Sequence, residues 1–333
     1  MEIQAEVMKP GEHTTVQARI LAYAQEIGWS FVSREEAEQR RGFASGQKSE
    51  VGSQKGSLFF DDLLDAKVRE FNPRYAEAAG ALLGQFRHLH TDIYGNREFV
   101  EHLRNRGKFF DHEERRERDL ILIDYDNPSR NVYEVTEEWA FHNGHYGTRE
   151  DVVFLINGIP VIGFECKNAN KDEAIALGVD QIRRYHRETP ELFVSQQLFT
   201  ATDAIGFSYG VSWNTVRRCI FNWRILEPQI TQIDTDEEEE AENPNLCKSV
   251  KSVVENLPGR LESKVKTFCS IPNILSFLKD YRENVEPLGY KAFLVGVDRE
   301  ACAHYKHALD QFLSSSTNCS TSPCRIMASC GKL

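Results

Sequence analysis

The chain has 333 residues, of which 41% are hydrophobic and 11% aromatic, enough for about two domains with a substantial buried core. No stretch approaches the roughly 18 consecutive apolar residues of a membrane-spanning helix, and the N-terminal sequence lacks the basic and apolar segments of a signal peptide. We therefore expect a cytoplasmic protein. Its eight cysteines form no Cys-x-x-Cys pair, which argues for reduced thiols and against a structural zinc site.

The N-terminal half is predicted to be helical. Thr14-x-x-Gln17 resembles a capping box, and apolar residues at helical spacing follow it, so a helix is predicted over residues 14–28 with Gly28 at its end. The same half also predicts a strand (29–32), a short charged helix (33–41), a loop (42–56) and three amphipathic helices (57–71, 72–89 and 96–107).

Strand patterns dominate the next hundred residues. Alternating apolar runs predict strands over 119–128 and 130–141, and two further runs predict strands over 191–204 and 205–210. A helix with apolar residues at i, i+3 and i+4 spacing is predicted over 172–188. This order indicates an α/β fold with a central mixed β-sheet flanked by helices, preceded by a helical N-terminal half.

The most informative stretch is a hairpin of two β-rich runs, 151–156 and 161–167, around Asn157-Gly158. A loop of three or five residues would place Asp151 directly opposite Glu165. One face of the hairpin is apolar throughout: Val152, Phe154, Ile156, Ile162, Phe164 and Cys166. The other face is apolar near the turn and charged at the far end: Asp151, Val153, Leu155, Val161, Gly163, Glu165 and Lys167.

Two opposed carboxylates predict a bound cation. Asp151 and Glu165 would lie roughly 5 Å apart at Cβ, which is unfavourable unless a cation lies between them. Mg²⁺ prefers such oxygen ligands together with phosphate and water. Lys167, two residues later on the same face, could orient a water or neutralise developing charge. The alternative is a surface hairpin with a solvated charged rim.

The spacing Asp151…Glu165-Cys166-Lys167 resembles the signature of the PD-(D/E)XK nucleases, although Glu150 stands where that signature has proline. The resemblance implies a restriction-endonuclease-like fold and Mg²⁺-dependent DNA cleavage that leaves a 5′-phosphate. It implies Asp151 and Glu165 as metal ligands, the Cys166 carbonyl as a possible third, and Lys167 as the group that positions the attacking water.

Further residues extend the resemblance. Gln181 and Tyr185 share a helix face and resemble the Gln-x-x-x-Tyr motif of RecB-like nucleases and type I restriction subunits. The resemblance implies that Gln181 hydrogen-bonds near the metal site and that Tyr185 touches the DNA backbone. Glu12, before the first helix, is the candidate for a further metal-binding acid.

A net charge of −11 does not exclude DNA binding, because seven acidic residues stand in one run between Asp234 and Glu242 and a local basic patch suffices. Arg183 and Arg184 are of most interest because they lie on the Gln181/Tyr185 helix. Three basic clusters are candidates for the patch: Arg104, Arg106 and Lys108; Arg115, Arg116 and Arg118; and Arg183, Arg184 and Arg187.

Taken together, residues 14 to about 224 resemble the N-terminal nuclease region of the restriction (R) subunit of type I restriction–modification enzymes. The predicted organisation is a nuclease domain over 1–227, an acidic linker over 228–259, and an incomplete motor-like βα segment with a frayed tail over 260–333. In that last segment we predict a helix after Pro272, a buried strand over 290–297 and a helix from Asp298.

The ATP-binding part of such a subunit is not found in these residues. The family uses ATP, but the phosphate-binding string G-x-x-x-x-G-K-[ST] does not occur in the 333 residues, so we expect no ATP hydrolysis by this chain alone. The leading hypothesis is a Mg²⁺-dependent endonuclease acting on double-stranded DNA. The alternatives are a non-cleaving assembly or DNA-binding remnant that docks on methyltransferase and specificity subunits, and a nonfunctional truncation product.

Overall fold

The fold is organised around a seven-stranded mixed β-sheet with the strand order β1-β4-β5-β6-β7-β8-β9. A computed structural model describes residues 16–43, 56–168, 173–203, 205–223 and 260–280. The strands are β1 (Ser30–Val32), β2 (Lys108–Asp111), β3 (Arg116–Asp119), β4 (Tyr133–His142), β5 (Gly147–Ile156), β6 (Ile159–Cys166), β7 (Leu198–Thr202), β8 (Phe207–Val211) and β9 (Phe221–Asn222). Strands β1/β4 and β6/β7 pair in parallel, and the other neighbours are antiparallel.

Helices cover both faces of this sheet, which confirms the predicted α/β class. They are α1 (Ala18–Glu26), α2 (Arg34–Arg40), α3 (Asp61–Phe71), α4 (Ala81–Arg87), α5 (Ile93–Leu103), α6 (Ala174–Glu188), α7 (Arg260–Phe268) and α8 (Ile271–Asp280). Apolar residues of α2 and α6 pack on one face, and those of the other helices pack on the opposite face. None of the helices in these ranges is long and apolar enough to cross a membrane.

The central hairpin divides its side chains between the two cores as the alternation predicts. Val152, Phe154 and Phe164 belong to the larger core, under α1, α3, α5, α7 and α8. Val153 and Leu155 belong to the smaller core, under α2 and α6. Strand β6 is buried along its whole length, because strands lie on both of its sides and helices on both of its faces.

The turn of this hairpin differs from the sequence prediction. The loop has two residues, Asn157 and Gly158, both with positive φ (52° and 80°), so the prediction of three or five residues was wrong. A register shift after Phe154 then leaves Val161 as an extra residue on β6, and the side chain of Val161 joins the larger core.

The strand predicted over 119–128 is largely wrong, because beyond β3 the backbone is irregular up to β4 except for a short 3₁₀ turn. Its polar groups bond to side-chain amides instead of a strand ladder. Ile121 N donates to Asn72 Oδ1 (2.9 Å), Leu122 N to Asn105 Oδ1 (2.8 Å), and Asp124 N to Asn131 Oδ1 (2.9 Å). Three asparagine side chains therefore accept the backbone hydrogen bonds of a segment that alternation alone assigns to the sheet.

The helix predicted over 72–89 is also shorter than expected. It covers only Ala81–Arg87, because Gly80 precedes it with a φ of 79°, outside the right-handed helical region. The hairpin of β2 and β3 was not predicted. Its charged residues pair with one another across the two strands, as in the ion pair between Lys108 and Asp119.

Helices α7 and α8 pack on the larger core although the acidic run precedes them in the sequence. Trp29 Nε1 donates to Cys269 O (2.9 Å), and Trp223 Nε1 donates to Thr267 Oγ1 (2.8 Å). Phe268 lies edge-on to Phe207 with 5.2 Å between ring centroids. The predicted three-part division stays a prediction, but 260–280 shares a core with α1; 228–259, the strand over 290–297 and the helix from 298 lie outside the described residues.

We expect Phe268→Ala to destabilise the whole domain by about 3–5 kcal/mol, because it removes a buried ring that packs against aromatic residues of β8. Urea unfolding of the 333-residue chain, followed by tryptophan fluorescence, measures the change. Ser276→Ala, at an exposed position of α8, is the control and should change the free energy of unfolding little. An unchanged unfolding midpoint for Phe268→Ala would contradict the shared core.

Candidate active site

Asp151 on β5 lies beside the end of β6, where Glu165, Cys166 and Lys167 follow one another. The last pair in the β5/β6 ladder is Val152 with Phe164, so the next residues in the same register are Asp151 and Glu165. Asp151 Oδ2 accepts a hydrogen bond from Cys166 N at 2.6 Å. The structure thus brings together the first carboxylate and the Glu-x-Lys segment.

Glu165 and Lys167 are both buried and hydrogen-bonded to each other, with Lys167 Nζ donating to Glu165 Oε1. The backbone of Lys167 is held by its N–H, which donates to Thr202 O at 2.8 Å. Helix α6 lies directly over the pair at Gly178. A Cβ at this position would be 3.6 Å from Glu165 Cγ and 3.7 Å from Lys167 Cγ, so α6 limits the volume around both side chains.

The environment of Glu165 favours its uncharged form. Burial and, to a smaller extent, the negative charge of Asp151 together raise the pKa of Glu165 to about 8, although Lys167 acts in the opposite direction. A nearby divalent cation would stabilise the charged form of such a carboxyl group more than that of an exposed one, because it would offset the repulsion between Asp151 and Glu165.

The donors at this end of the hairpin fit Mg²⁺. Within the described ranges, no three His, Cys, Asp or Glu side chains converge to hold a metal ion. The candidate carboxylate pair is Asp151 and Glu165, which the register of β5 and β6 places opposite each other. Mg²⁺ commonly binds to one or two carboxylates and keeps water and phosphate as its other ligands. Cys166 can contribute only its backbone carbonyl, because its side chain belongs to the larger core on the other face. Glu12 lies outside the described residues.

A residue that the sequence did not single out, Glu150, is also part of this region. It is buried, and Gln196 Nε2 donates to its Oε2 at 2.7 Å. Burial, with a smaller contribution from the negative charge of Asp151, raises the pKa of Glu150 to about 7, against the opposing effects of Gln196 and the positive charge of Arg41.

Strict alternation would place Glu150 and Asp151 on opposite faces of β5, so alternation alone does not predict a shared site. The alternation breaks in the neighbouring strand β4 at Glu138, which has a φ of 53°. Val135 belongs to the larger core, whereas Trp139, four residues later, belongs to the smaller one. Glu150 pairs with Trp139, and its carboxylate lies over Gly163 on the side of the smaller core.

Gln181 and Tyr185 are joined to each other and to β5. Gln181 Nε2 donates to Tyr185 Oη at 2.5 Å, and Tyr185 Oη donates to Arg149 O at 2.9 Å. Tyr185 is 3% exposed, and burial together with the charge of Glu165 raises its pKa to about 12. The contact between Tyr185 and the DNA backbone stays a prediction. In this structure the tyrosine holds α6 to β5, two residues before Asp151.

The two arginines predicted to bind DNA have different environments. Arg183 is engaged by protein groups, because its Nε and Nη2 donate to Thr215 O (3.0 and 2.6 Å) and its Nη1 pairs with Asp180 (2.7 Å). Arg184 is exposed and lies 3.6 Å from Glu188. The exposed side chain of Arg184 is therefore the better placed of the two for an anionic partner.

The other basic clusters are largely neutralised by neighbouring acids. Arg106 pairs with Glu101, and Arg116 and Arg118 both pair with Glu114. Exposed pairs of this kind contribute little to stability, and they also lower the positive potential of the surface. The β2/β3 hairpin is therefore a weaker candidate for DNA binding than the sequence suggests.

The sequence of the chain is similar to known restriction enzyme subunits. Residues 9–216 match the family described as type I restriction enzyme R protein N terminus. The type I restriction enzyme HindI endonuclease subunit of Haemophilus influenzae is 26% identical over 201 residues, which cover 57% of this chain and 18% of that subunit. The putative MjaVIIP endonuclease subunit of Methanocaldococcus jannaschii is 38% identical over 76 residues, 23% of this chain and 7% of that subunit. Each match thus spans less than a fifth of the relative's length.

The raised pKa of Glu165 makes stability depend on pH. The folded chain holds a proton on Glu165 between its ordinary pKa of 4.5 and about 8, whereas the unfolded chain does not, so the free energy of unfolding falls as the pH rises through this window. We expect Glu165→Gln to make that fall smaller, measured by urea unfolding at pH 5 and pH 8 without divalent cations. Glu36→Gln, at an exposed position, should leave it unchanged. Equal falls for the parent and Glu165→Gln would contradict the assignment.

Proposed function

The chain belongs to the family of type I restriction enzyme R protein N termini, and we propose that it is a Mg²⁺-dependent endonuclease domain that cleaves double-stranded DNA. Family membership supports the restriction endonuclease role in general. The observation that carries the finer proposal is the convergence of Asp151, Glu165 and Lys167 at one end of the β5/β6 hairpin. Asp151 and Glu165 lie on the adjacent central strands β5 and β6, and Lys167 directly follows the last residue of β6.

The proposed chemistry follows from the donors of this site. Asp151, Glu165 and the Cys166 carbonyl would hold Mg²⁺, which when bound polarises a phosphoryl oxygen and acidifies a water molecule. Lys167 Nζ, which donates to Glu165, would orient the attacking water in line with the scissile bond or neutralise the developing charge. Attack on phosphorus would leave a 5′-phosphate on one product strand and a hydroxyl on the other.

The surrounding elements keep these groups in place. Gly178 lets α6 approach Glu165 and Lys167 closely, and Tyr185 ties the same helix to β5. The rate of a reaction rises when the reacting groups are already held in the correct geometry before the substrate binds. Arg184, exposed on α6, is the proposed contact with the DNA backbone on this side of the sheet.

The proposed partners are double-stranded DNA and the methyltransferase and specificity subunits of a restriction–modification complex in the cytoplasm. The relatives bear the name endonuclease subunit, which implies a larger assembly for those proteins. Because the 333 residues contain no G-x-x-x-x-G-K-[ST] string, ATP-driven movement on DNA is not proposed for this chain.

A second candidate function is a subunit that docks on the complex without cleaving DNA. It is favoured by the pairing of the basic clusters with neighbouring acids, which lowers the positive potential available to DNA in the described residues. It predicts co-purification with methyltransferase and specificity subunits, and no Mg²⁺-dependent nicking of DNA by the isolated chain. The two proposals thus differ in what the chain does alone.

We expect Asp151→Ala, Glu165→Ala and Lys167→Ala each to lower nicking of supercoiled plasmid by at least about 100-fold at saturating Mg²⁺, because each removes a metal ligand or the lysine that holds the water. Agarose gels of plasmid incubated with the 333-residue chain measure the loss, with and without partner subunits and ATP. Circular dichroism confirms that each variant folds.

Asp180→Ala on α6 is the matched control, since it also removes a carboxylate but from an exposed position beside Arg183. It should nick plasmid at the rate of the parent. Parental nicking by all three site variants would show that another part of the chain, or a contaminant, cleaves DNA.

A further inference from the structure

A second set of polar side chains, Glu150 and Gln196, meets over Gly163 beside the proposed metal site. Gln196, just before β7, reaches over β6 and donates from Nε2 to Glu150 Oε2 on β5 (2.7 Å). A Cβ at position 163 would be 2.4 Å from Glu150 Oε1 and 2.7 Å from Gln196 Oε1. Only a residue without a side chain leaves room for these two groups to meet, so the pair and Gly163 form one unit.

Arg41 adds a buried positive charge to this unit. Its guanidinium stacks on Trp139 with 3.7 Å to the ring centroid, and its Nε donates to Ser57 O at 2.6 Å. Trp139 is the residue of β4 that pairs with Glu150. Across the described part of the chain, Arg41 Nη2 and Gln196 Oε1 have no hydrogen-bond partner, although both are buried. A buried polar cluster of this composition is costly for stability alone.

The cluster is anchored to several elements around the site. Asn96 on α5 donates from Nδ2 to Gln196 O (3.1 Å), and Gln197 N donates to the carbonyl of Val161, the extra residue on β6 (2.8 Å). Glu150 itself directly precedes Asp151. The hydrogen bond from Gln196 therefore fixes the position of β5 relative to β6 one residue away from the proposed metal-binding carboxylate.

We propose that Glu150, held by Gln196 over Gly163 and balanced by Arg41, is a positioning residue that sets the distance between the carboxylates of Asp151 and Glu165. The proposal rests on the proposed function, since it assumes that these two carboxylates hold the metal ion. Glu150 is proposed to orient the strand and not to bind the ion, because its Oε2 accepts from Gln196 and its Oε1 lies over Gly163.

The first test measures binding of Mn²⁺ alone to the full 333-residue chain by electron paramagnetic resonance of the free ion. We expect Glu150→Ala and Gly163→Ala each to weaken Mn²⁺ binding by about 10-fold, the usual effect of removing a group that orients a metal ligand. Gly163→Ala changes no charged or polar group and displaces only the ends of two flexible side chains. Gly84→Ala, where a Cβ meets no atom within 4 Å, is its control and should bind like the parent.

Glu150→Gln separates positioning from charge. Its side-chain oxygen can still accept from Gln196, so we expect parental Mn²⁺ affinity to return with this variant. Parental affinity in Glu150→Ala or in Gly163→Ala would overturn the proposal. So would a Glu150→Gln variant that binds as weakly as Glu150→Ala, because that result assigns the effect to charge.

A merely structural role predicts a different result, namely a lower unfolding midpoint for Glu150→Ala with unchanged Mn²⁺ affinity of the folded protein. Asp151→Ala serves to test the underlying function separately. We expect it to abolish Mn²⁺ binding in the same titration. If Asp151→Ala binds Mn²⁺ like the parent, the metal site itself is wrong, whatever Glu150 does.

Discussion

The site depends on the register between β5 and β6. The two-residue turn starts the ladder with Ile156 opposite Ile159, and if this register continued, Asp151 would stand opposite Phe164. A slip of one residue moves every side chain to the other face of a strand. The extra residue, Val161, restores the register in which Asp151 and Glu165 are opposite, so the bulge is what allows a tight turn and a shared carboxylate site in one hairpin.

The turn is fixed as firmly as the bulge. Asn157 is fully buried, with its Nδ2 donating to Leu122 O and Asn131 Oδ1 (both 2.9 Å) and its Oδ1 accepting from Val132 N (2.8 Å). A Cβ on Gly158 would lie 2.9 Å from Phe60 O, in addition to the strain of its positive φ. The irregular segment before β4 therefore supports the site, because Leu122, Asn131 and Val132 hydrogen-bond to the turn that sets the register.

The arrangement is electrostatically expensive. Glu150 and Glu165 are buried near Asp151; Gln196 and Arg41 partly compensate Glu150, and Lys167 partly compensates Glu165. Such a concentration of buried ionisable groups is typical of functional sites, where local stability is exchanged for the ability to bind an ion or move a proton. A divalent cation between Asp151 and Glu165 would offset the electrostatic repulsion between these two carboxylates.

The sequence predicted those parts that depend on local periodicity. The two faces of the hairpin, the helix after it and the spacing of Asp151, Glu165 and Lys167 follow from alternation and helical repeats. It did not predict what depends on contacts distant in the sequence.

The amides of Asn72 and Asn105 replace a strand ladder, and α7 packs on α1 despite an intervening acidic run. The hydroxyl of buried Tyr185 donates a hydrogen bond to the carbonyl of Arg149. The contribution of Glu150 was not predicted, because alternation does not account for the positive φ of Glu138, where the face of β4 changes.

The most direct measurement is the anomalous diffraction of a crystal grown with Mn²⁺ in place of Mg²⁺. We predict one anomalous peak within about 2.5 Å of carboxylate oxygens from both Asp151 and Glu165, with the Cys166 carbonyl beside it and Glu150 outside the coordination shell. A peak bound elsewhere, or no peak at this end of the hairpin at saturating Mn²⁺, would contradict the assignment of this chain as a metal-dependent nuclease.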